Sequence, residues 1–352
     1  MEEEKDTVYQ AILNNLLGYY ILDTGKKDET AIDTAIAYFQ RSLQDKEILF
    51  RKSAVDYRPM TNSKELSEKY CGDNMYQLLA RQAISRLSGY FIANPVSAEK
   101  IQTEILSIYD GLIDFYRQQG MTDARLLLML DKLHYKGNDV SRGGVNEKLR
   151  LTDEQVITLL KQWAEEFADF PLCGEVYCQL AERYDRMQDY TAKLKAAQTG
   201  LAKYPRSLSA NDLKEQIAEV LTPRLMVEIP FAYPGKDVDL KVKYRNLAGL
   251  TVELYRMNLP VTSPVLEREI NASTLSQYGK LVSSRHYDLA ATPDYKETDT
   301  LLRYKFPVEG IYVVKSIPDG HRKYTAYGKA YVSSLQAISL GLPDGKQEIN
   351  IV

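Results

Sequence analysis

The spacing of apolar residues changes near residue 222, and this change limits the possible folds more than any other feature of the sequence. Before that point, apolar residues recur every three or four positions, as on amphipathic helices. After it, Val238, Leu240, Val242 and Tyr244 alternate with charged residues, which is the period of a half-buried strand. The sequence therefore predicts an α-helical part followed by a β part.

Helical hairpins are predicted for the first part of the chain. A first helix has one apolar face, and a polar turn at residues 24–27 joins it to a second helix. The residues of that face are Val8, Ile12, Leu16 and Tyr19. Further helices are expected at 74–93, 98–119 and 122–135. Residues 137–147, GNDVSRGGVNE, are expected to form an exposed loop and not a phosphate cradle, because no strand precedes them and no Gly-Lys-Ser/Thr follows.

The segment 174–207 resembles one tetratricopeptide repeat over its full length. Two apolar stripes face each other across a turn at Asp189-Tyr190, and Pro205 ends the second helix. The stripes are Tyr177, Leu180, Ala181 and Tyr184 in the first helix and Leu194, Ala197, Gly200 and Leu201 in the second. Arrays of such hairpins either bind peptides in a groove or act as a structural support, and both interpretations stay open here.

Short strands are predicted throughout the β part, separated by turns such as Pro234-Gly235 and Pro318-Asp319-Gly320. The strands cover residues 225–229, 238–244, 250–257, 280–289, 300–306, 311–317 and 324–332. Connections this short leave no room for crossover helices, which disfavours a parallel sheet. We therefore expect an antiparallel β-sandwich.

The end of the chain does not complete this sandwich. Strands are predicted at 335–340 and 348–352, and a final strand with an unpaired edge favours unwanted association. We therefore expect the natural chain to continue. The predicted domains are a helical domain at 1–221, a sandwich at 222–334 and the start of a truncated second β-domain at 335–352.

Charge and hydropathy argue against two classes of partner. The chain has 45 Lys and Arg against 48 Asp and Glu, whereas nucleic-acid binding shows as a clustered excess of basic residues. The longest apolar run, Leu126–Leu130, is far shorter than the roughly 20 residues that span a bilayer. We expect no nucleic-acid partner and no membrane insertion by this chain. The acidic N-terminus, MEEEKDT, also differs from a secretory leader, which is basic and then apolar.

No group of residues predicts catalysis, a cofactor site or a metal site. His134, His286 and His321 lie in separate predicted elements and lack the spacing of metal ligands. Ser97 has the Ser-x-x-Lys spacing of penicillin-recognising enzymes without their partner motifs, so it is expected to be a helix N-cap. The adjacent acids Glu165-Glu166 are expected on a solvated helix face without a partner. The chain is predicted not to be an enzyme, with no catalytic, cofactor-binding or metal-binding residue.

Three cysteines and one sequon have equally ordinary explanations. Cys71, Cys173 and Cys178 are too few and too scattered for a disulfide framework or a zinc site, so all three are expected to be buried thiols. Asn271-Ala-Ser273 has the spelling of a glycosylation sequon, which has meaning only in a eukaryotic secretory pathway.

Several segments together resemble the N-terminal region of bacterial alpha-2-macroglobulin-like proteins. Residues 74–84, NMYQLLARQAI, are similar to a helical motif ahead of the first macroglobulin-like domain. Residues 238–258, VDLKVKYRNLAGLTVELYRMN, are similar to the opening of that domain, where a strand ending in Tyr-Arg-Asn leads to one ending in Leu-Tyr-Arg. The segments Gly310-Ile-Tyr-Val-Val and Tyr331-Val-Ser-Ser-Leu look like its end and the start of the next domain.

The resemblance implies a multidomain α plus β fold. Tetratricopeptide-like helical hairpins would be followed by an antiparallel β-sandwich of macroglobulin- or immunoglobulin-like type. In that family a bait segment is cut, the molecule rearranges, and in many members a thioester between the Cys and the Gln of Gly-Cys-Gly-Glu-Gln captures the protease. Here Leu172 precedes Cys173 and Val176 occupies the glutamine position, so no thioester can form at this cysteine.

The resemblance also implies a function for the chain. It would be the non-catalytic N-terminal scaffold of a protease-trapping inhibitor, with the bait and any thioester in a missing C-terminal part. Its partners would be the other domains of the full-length chain, and proteases would be targets of the whole protein. The protein would lie in the periplasm or cell envelope if a leader has been removed.

The alternative is a cell-surface module that binds a peptide or a glycan through its helical repeats or its sandwich loops. Tyrosine is abundant, with 26 residues against 8 Phe, which suits a binding face and equally suits helix and strand packing. Exposed aromatic residues on a concave surface would favour binding, whereas aromatic residues inside helix pairs would favour the scaffold. An enzyme ranks third and would need a deep pocket that encloses several acids or a histidine.

Overall fold

The computed structural model describes residues 2–24, 29–61, 72–93, 97–268, 270–335, 337–341 and 347–351. The chain divides into two compact units. One comprises Met1–Arg183 with Thr199–Ala210, and the other comprises Tyr184–Gln198 with Asn211–Val352. The second unit therefore contains helical segments as well as strands. The predicted domain borders at 221 and 334 remain predictions.

Helices make up the first part of the chain, as the spacing of apolar residues predicts. They are α1 (Glu2–Thr24), α2 (Glu29–Ser42), α3 (Lys46–Phe50), α4 (Arg58–Thr61), α5 (Met75–Ala93), α6 (Ala98–Gln118), α7 (Thr122–Lys136), α8 (Asp153–Glu166), α9 (Cys173–Arg186), α10 (Tyr190–Lys203) and α11 (Ala210–Leu221). Thr152 and Gln155 form a capping box at the start of α8, which satisfies two of the amides that a helix N-terminus leaves unpaired. The helices predicted at 74–93, 98–119 and 122–135 are confirmed as α5, α6 and α7.

A cluster of aromatic residues lies within the largely aliphatic core of the first unit. The Tyr76 and Phe115 rings meet edge to face with centroids 5.0 Å apart, and Phe50 lies 5.3 Å from Phe115. Asn74 caps α5 by accepting a hydrogen bond from a backbone amide three residues on, and its Nδ2 donates to the Tyr116 hydroxyl at 3.0 Å. The residues of the NMYQLLARQAI segment therefore start a helix and pack its core.

The packed face of α1 differs from the predicted one at a single position. Leu16 was expected on that face, but its side chain is 43% exposed. The buried face instead includes Asn15, which donates to Leu79 and Ser42, and Gly18. A side chain at Gly18 would lie 3.0 Å from the Phe39 ring, so the glycine allows α2 to pack closely against α1. The buried positions follow the stripe 8, 11, 12, 15, 18 and 22, and at about 100° per residue Leu16 lies beyond its edge.

The strands form antiparallel sheets, as predicted. They are β1 (Arg224–Glu228), β2 (Asp237–Arg245), β3 (Gly249–Met257), β4 (Gly279–Asp288), β5 (Thr298–Lys305), β6 (Gly310–Pro318), β7 (Ala326–Val332), β8 (Ala337–Gly341) and β9 (Gln347–Ile351). One sheet has the order β1-β2-β5, a second has the order β4-β3-β6-β7, and β8 pairs with β9. Each strand expected from the alternation of apolar and charged residues overlaps an observed strand.

The two larger sheets share one apolar core, which makes this part of the chain sandwich-like. Leu240 and Val242 of β2 point into it from the first sheet, and Val252 and Leu254 of β3 point into it from the second. These residues alternate with charged ones, so each strand buries one row of side chains. Burial of that row holds the strands in register.

A short helix covers the outer face of the second sheet, which the strand pattern did not reveal. This helix, α12 (Ala272–Tyr278), begins at Asn271, whose Oδ1 accepts a hydrogen bond from the Thr274 amide at 3.0 Å. Its Leu275 packs in a small core with Ile311 and Val313 of β6. Both faces of β6 are buried as a result, so the structure has a third layer at this place.

Candidate functional site

The end of β2 is fastened to the end of α11 by the side chain of Arg245. The last carbonyls of a helix have no partner within the helix, and here the Arg245 Nη2 donates to the carbonyls of Glu219 at 2.6 Å and Thr222 at 3.4 Å. A cation at this position also suits the negative end of the helix dipole. Arg245 is only 4% exposed. Burial lowers its pKa, and nearby Arg224 lowers it further.

Asn246 makes a second connection to the same helix end. Its Nδ2 donates to the Val220 carbonyl at 2.7 Å, and its backbone amide donates to the Thr292 hydroxyl at 3.0 Å. The residue has a φ of 56°, a left-handed conformation that asparagine tolerates better than most residues. Just before it, the Tyr244 hydroxyl donates to the Ala290 carbonyl at 3.1 Å. The Tyr-Arg-Asn segment thus fixes a helix, a strand and a loop together.

A buried lysine joins three helices next to this connection. The Lys193 side chain is 3% exposed, and its Nζ lies 2.7 Å from carboxylate oxygens of both Asp185 and Glu219. Burial alone would lower the pKa of Lys193, but the hydrogen bonds to the two acids outweigh it and raise the pKa. Lys193 therefore stays charged at neutral pH and links α10 to residues of α9 and α11.

A polar cleft of about 430 Å³ lies over these groups. Its walls include Lys193, Arg245, and the ion pair of Arg224 with Glu297 at 2.9 Å. Most charged side chains of the cleft thus form ion pairs with one another. This arrangement can hold a helix rigidly on a sheet, and it presents no nucleophile beside a base.

One histidine has an acidic partner on the sandwich. His286 Nε2 lies 2.8 Å from Asp319 Oδ2, and both side chains are about half exposed. The hydrogen bond to Asp319 raises the pKa of His286. A Cβ at Gly249 would overlap Asp319, so the glycine makes room for the pair. The pair joins β4 to the loop after β6, and His134 and His321 lie in α7 and after β6.

Two further sequence predictions need correction. Ser97 stands at the N-cap of α6 but has a φ of 62° and makes no side-chain capping bond, because its left-handed backbone is not the extended conformation of a capping residue. Glu166, expected without a partner, accepts a hydrogen bond from Arg125 at 2.8 Å. That arginine belongs to α7, and helix periodicity within α8 does not reveal a partner on another helix.

The described cysteines are buried, as predicted. Cys173 Sγ lies 3.8 Å from the Ala164 carbonyl, and burial raises the pKa of its thiol. A thiol with a raised pKa is a poor nucleophile at neutral pH. Cys178 is buried as well, and Cys71 lies outside the described residues.

Metal-binding clusters and membrane-spanning helices are missing from the part of the chain that the structure describes. Among these residues, no group of three or more His, Cys, Asp or Glu side chains could share a metal ion. No helix within the described ranges has the length and apolar character needed to cross a membrane.

Two parts of the connection at α11 differ in how far the sequence reveals them. The Tyr-Arg-Asn segment stands out as a motif, but the motif carries no information about its contacts. Lys193 was missed, because no pattern in the sequence distinguishes it from other lysines on helices.

Comparisons with known proteins give a distant likeness. No protein-family model matches the sequence, and no curated protein matches it either. Among solved structures, the chain is similar to a crystal structure of native alpha-2-macroglobulin from Escherichia coli that spans domains NIE-MG1. The two are 15% identical with a TM-score of 0.23, and the match covers 36% of this chain and 69% of that one.

Proposed function

We propose that the chain is the non-catalytic N-terminal scaffold of a bacterial alpha-2-macroglobulin-like protease-trapping inhibitor. The bait segment and any thioester would belong to a C-terminal part of the full-length protein. Other domains of that protein would be its direct partners, and proteases would be targets of the whole molecule. The protein would act in the periplasm or cell envelope.

One observation carries this proposal. Tyr244-Arg245-Asn246 belong to the segment 238–258 that is similar to the opening of a macroglobulin-like domain, and their side chains bind the end of α11 and a neighbouring loop. These contacts have a structural role, since they hold α11 in one position on the sandwich. A trap that rearranges after cleavage needs parts that stay rigid while others move.

Several aromatic residues contribute to internal packing, as a scaffold requires. Tyr76, Tyr116, Tyr304 and Tyr312 are among the largest fully buried side chains, and each lies within a helical or sheet core. Aromatic side chains contribute most to stability when they are buried in this way.

The test is to incubate the full-length protein with trypsin and separate the mixture by size-exclusion chromatography. We expect trypsin to elute with the large protein after cleavage of the bait. Trypsin with a blocked active site should elute alone, because it cannot cut the bait. Elution of active trypsin only at its own size would refute the proposal.

A further inference from the structure

A groove on the helical unit has an apolar floor built from three helices. It has a volume of about 280 Å³. Its floor consists of Ile113 from α6, Met129 and Leu133 from α7, and Leu159 and Trp163 from α8. Leu159 and Trp163 are four residues apart, so they lie on one face of α8. Both are partly exposed, and they present apolar surface to anything that enters the groove.

The walls of this groove carry more positive than negative charge. Arg125, Lys132 and Lys136 line it, and Asp110 is the acid among its described lining residues. Arg125 is paired with Glu166, and Lys132 is paired with Asp110. Among the described residues, Lys136 has no ion-pair partner. An anionic group beside the apolar floor would therefore gain a free cation.

The size of the groove limits what can occupy it. Clefts that hold whole small molecules measure roughly 300–1,000 Å³, so this groove suits one large side chain better than a complete cofactor. Helical hairpin arrays bind partners on extended concave surfaces, and peptide-binding sites use apolar grooves for anchor side chains or basic clusters for acidic motifs. We infer that this groove binds an acidic peptide segment that carries one bulky apolar side chain.

In this arrangement the apolar side chain contacts Leu159 and Trp163, and a flanking carboxylate reaches Lys136. The inference does not depend on protease trapping, because it concerns only the helical unit. A negative trypsin test would not affect this inference. A negative peptide-binding test would not affect the scaffold proposal.

Trp163 provides a direct readout, since it is the only tryptophan of the chain. We would titrate the chain with four peptides, Ac-Asp-Glu-X-Asp-Glu-NH2 with X as Phe, Leu, Ile or Met, and follow Trp163 emission. A saturable change is expected for at least one of them. Peptides with Lys in place of the acids, or with Ser as X, should bind at least tenfold more weakly.

Variants separate the groove from general charge attraction. Lys136→Glu should weaken the acidic peptide about tenfold, because it replaces an attractive ion pair with a repulsive one at a partly exposed site. Lys236→Glu makes the same charge change at an exposed position outside the groove and should leave binding unchanged. Leu159→Ser should weaken binding at least fivefold, and circular dichroism should show unaltered helix content in each variant.

Several results would overturn the inference. These are the absence of a saturable Trp163 response to all four acidic peptides, equal affinity for acidic and Lys-flanked peptides, or equal affinity of the Lys136→Glu and Lys236→Glu variants. A Trp163 response to anionic phospholipid vesicles but not to the peptides would assign the groove to a lipid and overturn it as well.

Discussion

Replacing Asn246 tests whether the Tyr-Arg-Asn segment holds α11 through both its backbone and its side chain. Asn246 combines a left-handed backbone with a 2.7 Å hydrogen bond to the Val220 carbonyl. Asn246→Gly keeps the conformation and removes the hydrogen bond. Asn246→Ala removes the bond and also places a less tolerant residue at a positive φ. The two variants therefore separate the two contributions.

The expected losses of stability follow from the hydrogen bond and from the backbone conformation. A hydrogen bond of this type contributes about 1 kcal/mol net, which sets the expected loss for Asn246→Gly. The left-handed conformation costs an L-residue other than Asn or Gly about 1–2 kcal/mol. Glycine also gains conformational freedom in the unfolded chain, which destabilises the folded Asn246→Gly variant and narrows the difference between the two variants. We expect a loss of about 1 kcal/mol for Asn246→Gly and about 2 kcal/mol for Asn246→Ala.

Urea-induced unfolding followed by far-ultraviolet circular dichroism measures both losses. Hydrogen exchange at the amides of α11 should show that the faster opening is located there. Asn271→Ala, which removes an Asn cap on the other side of the sandwich, serves as a control that should leave exchange in α11 unchanged. Equal losses for the Gly and Ala variants would refute the backbone argument, and an unchanged stability of Asn246→Ala would refute the whole account of this connection.

Three further changes test other parts of the structure. Lys193→Met should lower the free energy of unfolding in urea by about 2 kcal/mol, since it removes two charge-assisted hydrogen bonds from half-exposed acids. A loss below about 0.5 kcal/mol would contradict the stabilising role of Lys193. Gly174→Ala should lower the melting temperature through a loss of about 1–3 kcal/mol, because its Cβ would overlap Ser207 in a close-packed core; an unchanged melting temperature would contradict that packing. NMR titration should place the pKa of His286 above its ordinary value, so the stabilisation from its pair with Asp319 is complete below that ordinary value and is lost as pH rises through the folded pKa. Asp319→Asn should reduce the shift, since Asp319 is its main cause and Asp288 contributes less. A pKa that the substitution leaves unmoved would contradict the pair.

Local patterns predicted the strands and several long helices, but not the short helix α12. Alternation of apolar and charged residues places Leu240 and Val242 in the sandwich core, because a strand that buries one face must alternate. Helical spacing likewise located α5, α6 and α7. The exposed position of Leu16 was missed because the buried stripe of α1 runs through Asn15 and Gly18, which an apolar pattern does not mark.

Contacts between distant parts of the chain could not be predicted. The segment 137–147 was expected to be exposed, and its middle is, but Val145 and Asn138 are buried. Arg183 reaches this segment from α9 and donates to the Gly137 carbonyl at 2.7 Å. The glycine-rich composition describes the turn and carries no information about an arginine 46 positions away.

In the candidate site, too, the sequence indicated a segment but not its tertiary contacts. The sequence marked residues 244–246 through a resemblance, but their contacts with α11 depend on tertiary structure. Lys193 gave no signal at all, since a lysine near two acids in separate helices cannot be told from a surface lysine before the helices are packed. The groove with Trp163 was also hidden, because residues from three separate helices line it and local periodicity does not show how those helices pack.

The proposed function makes this chain the scaffold of a protein that encloses proteases. After incubation of the full-length protein with a limiting amount of trypsin, the activity of the trypsin on a small chromogenic peptide and on casein should be compared. The account predicts that activity on the small peptide is kept while activity on casein is lost, because a trapped protease is reached only by small substrates. Equal loss of both activities, or full activity on casein, would contradict it.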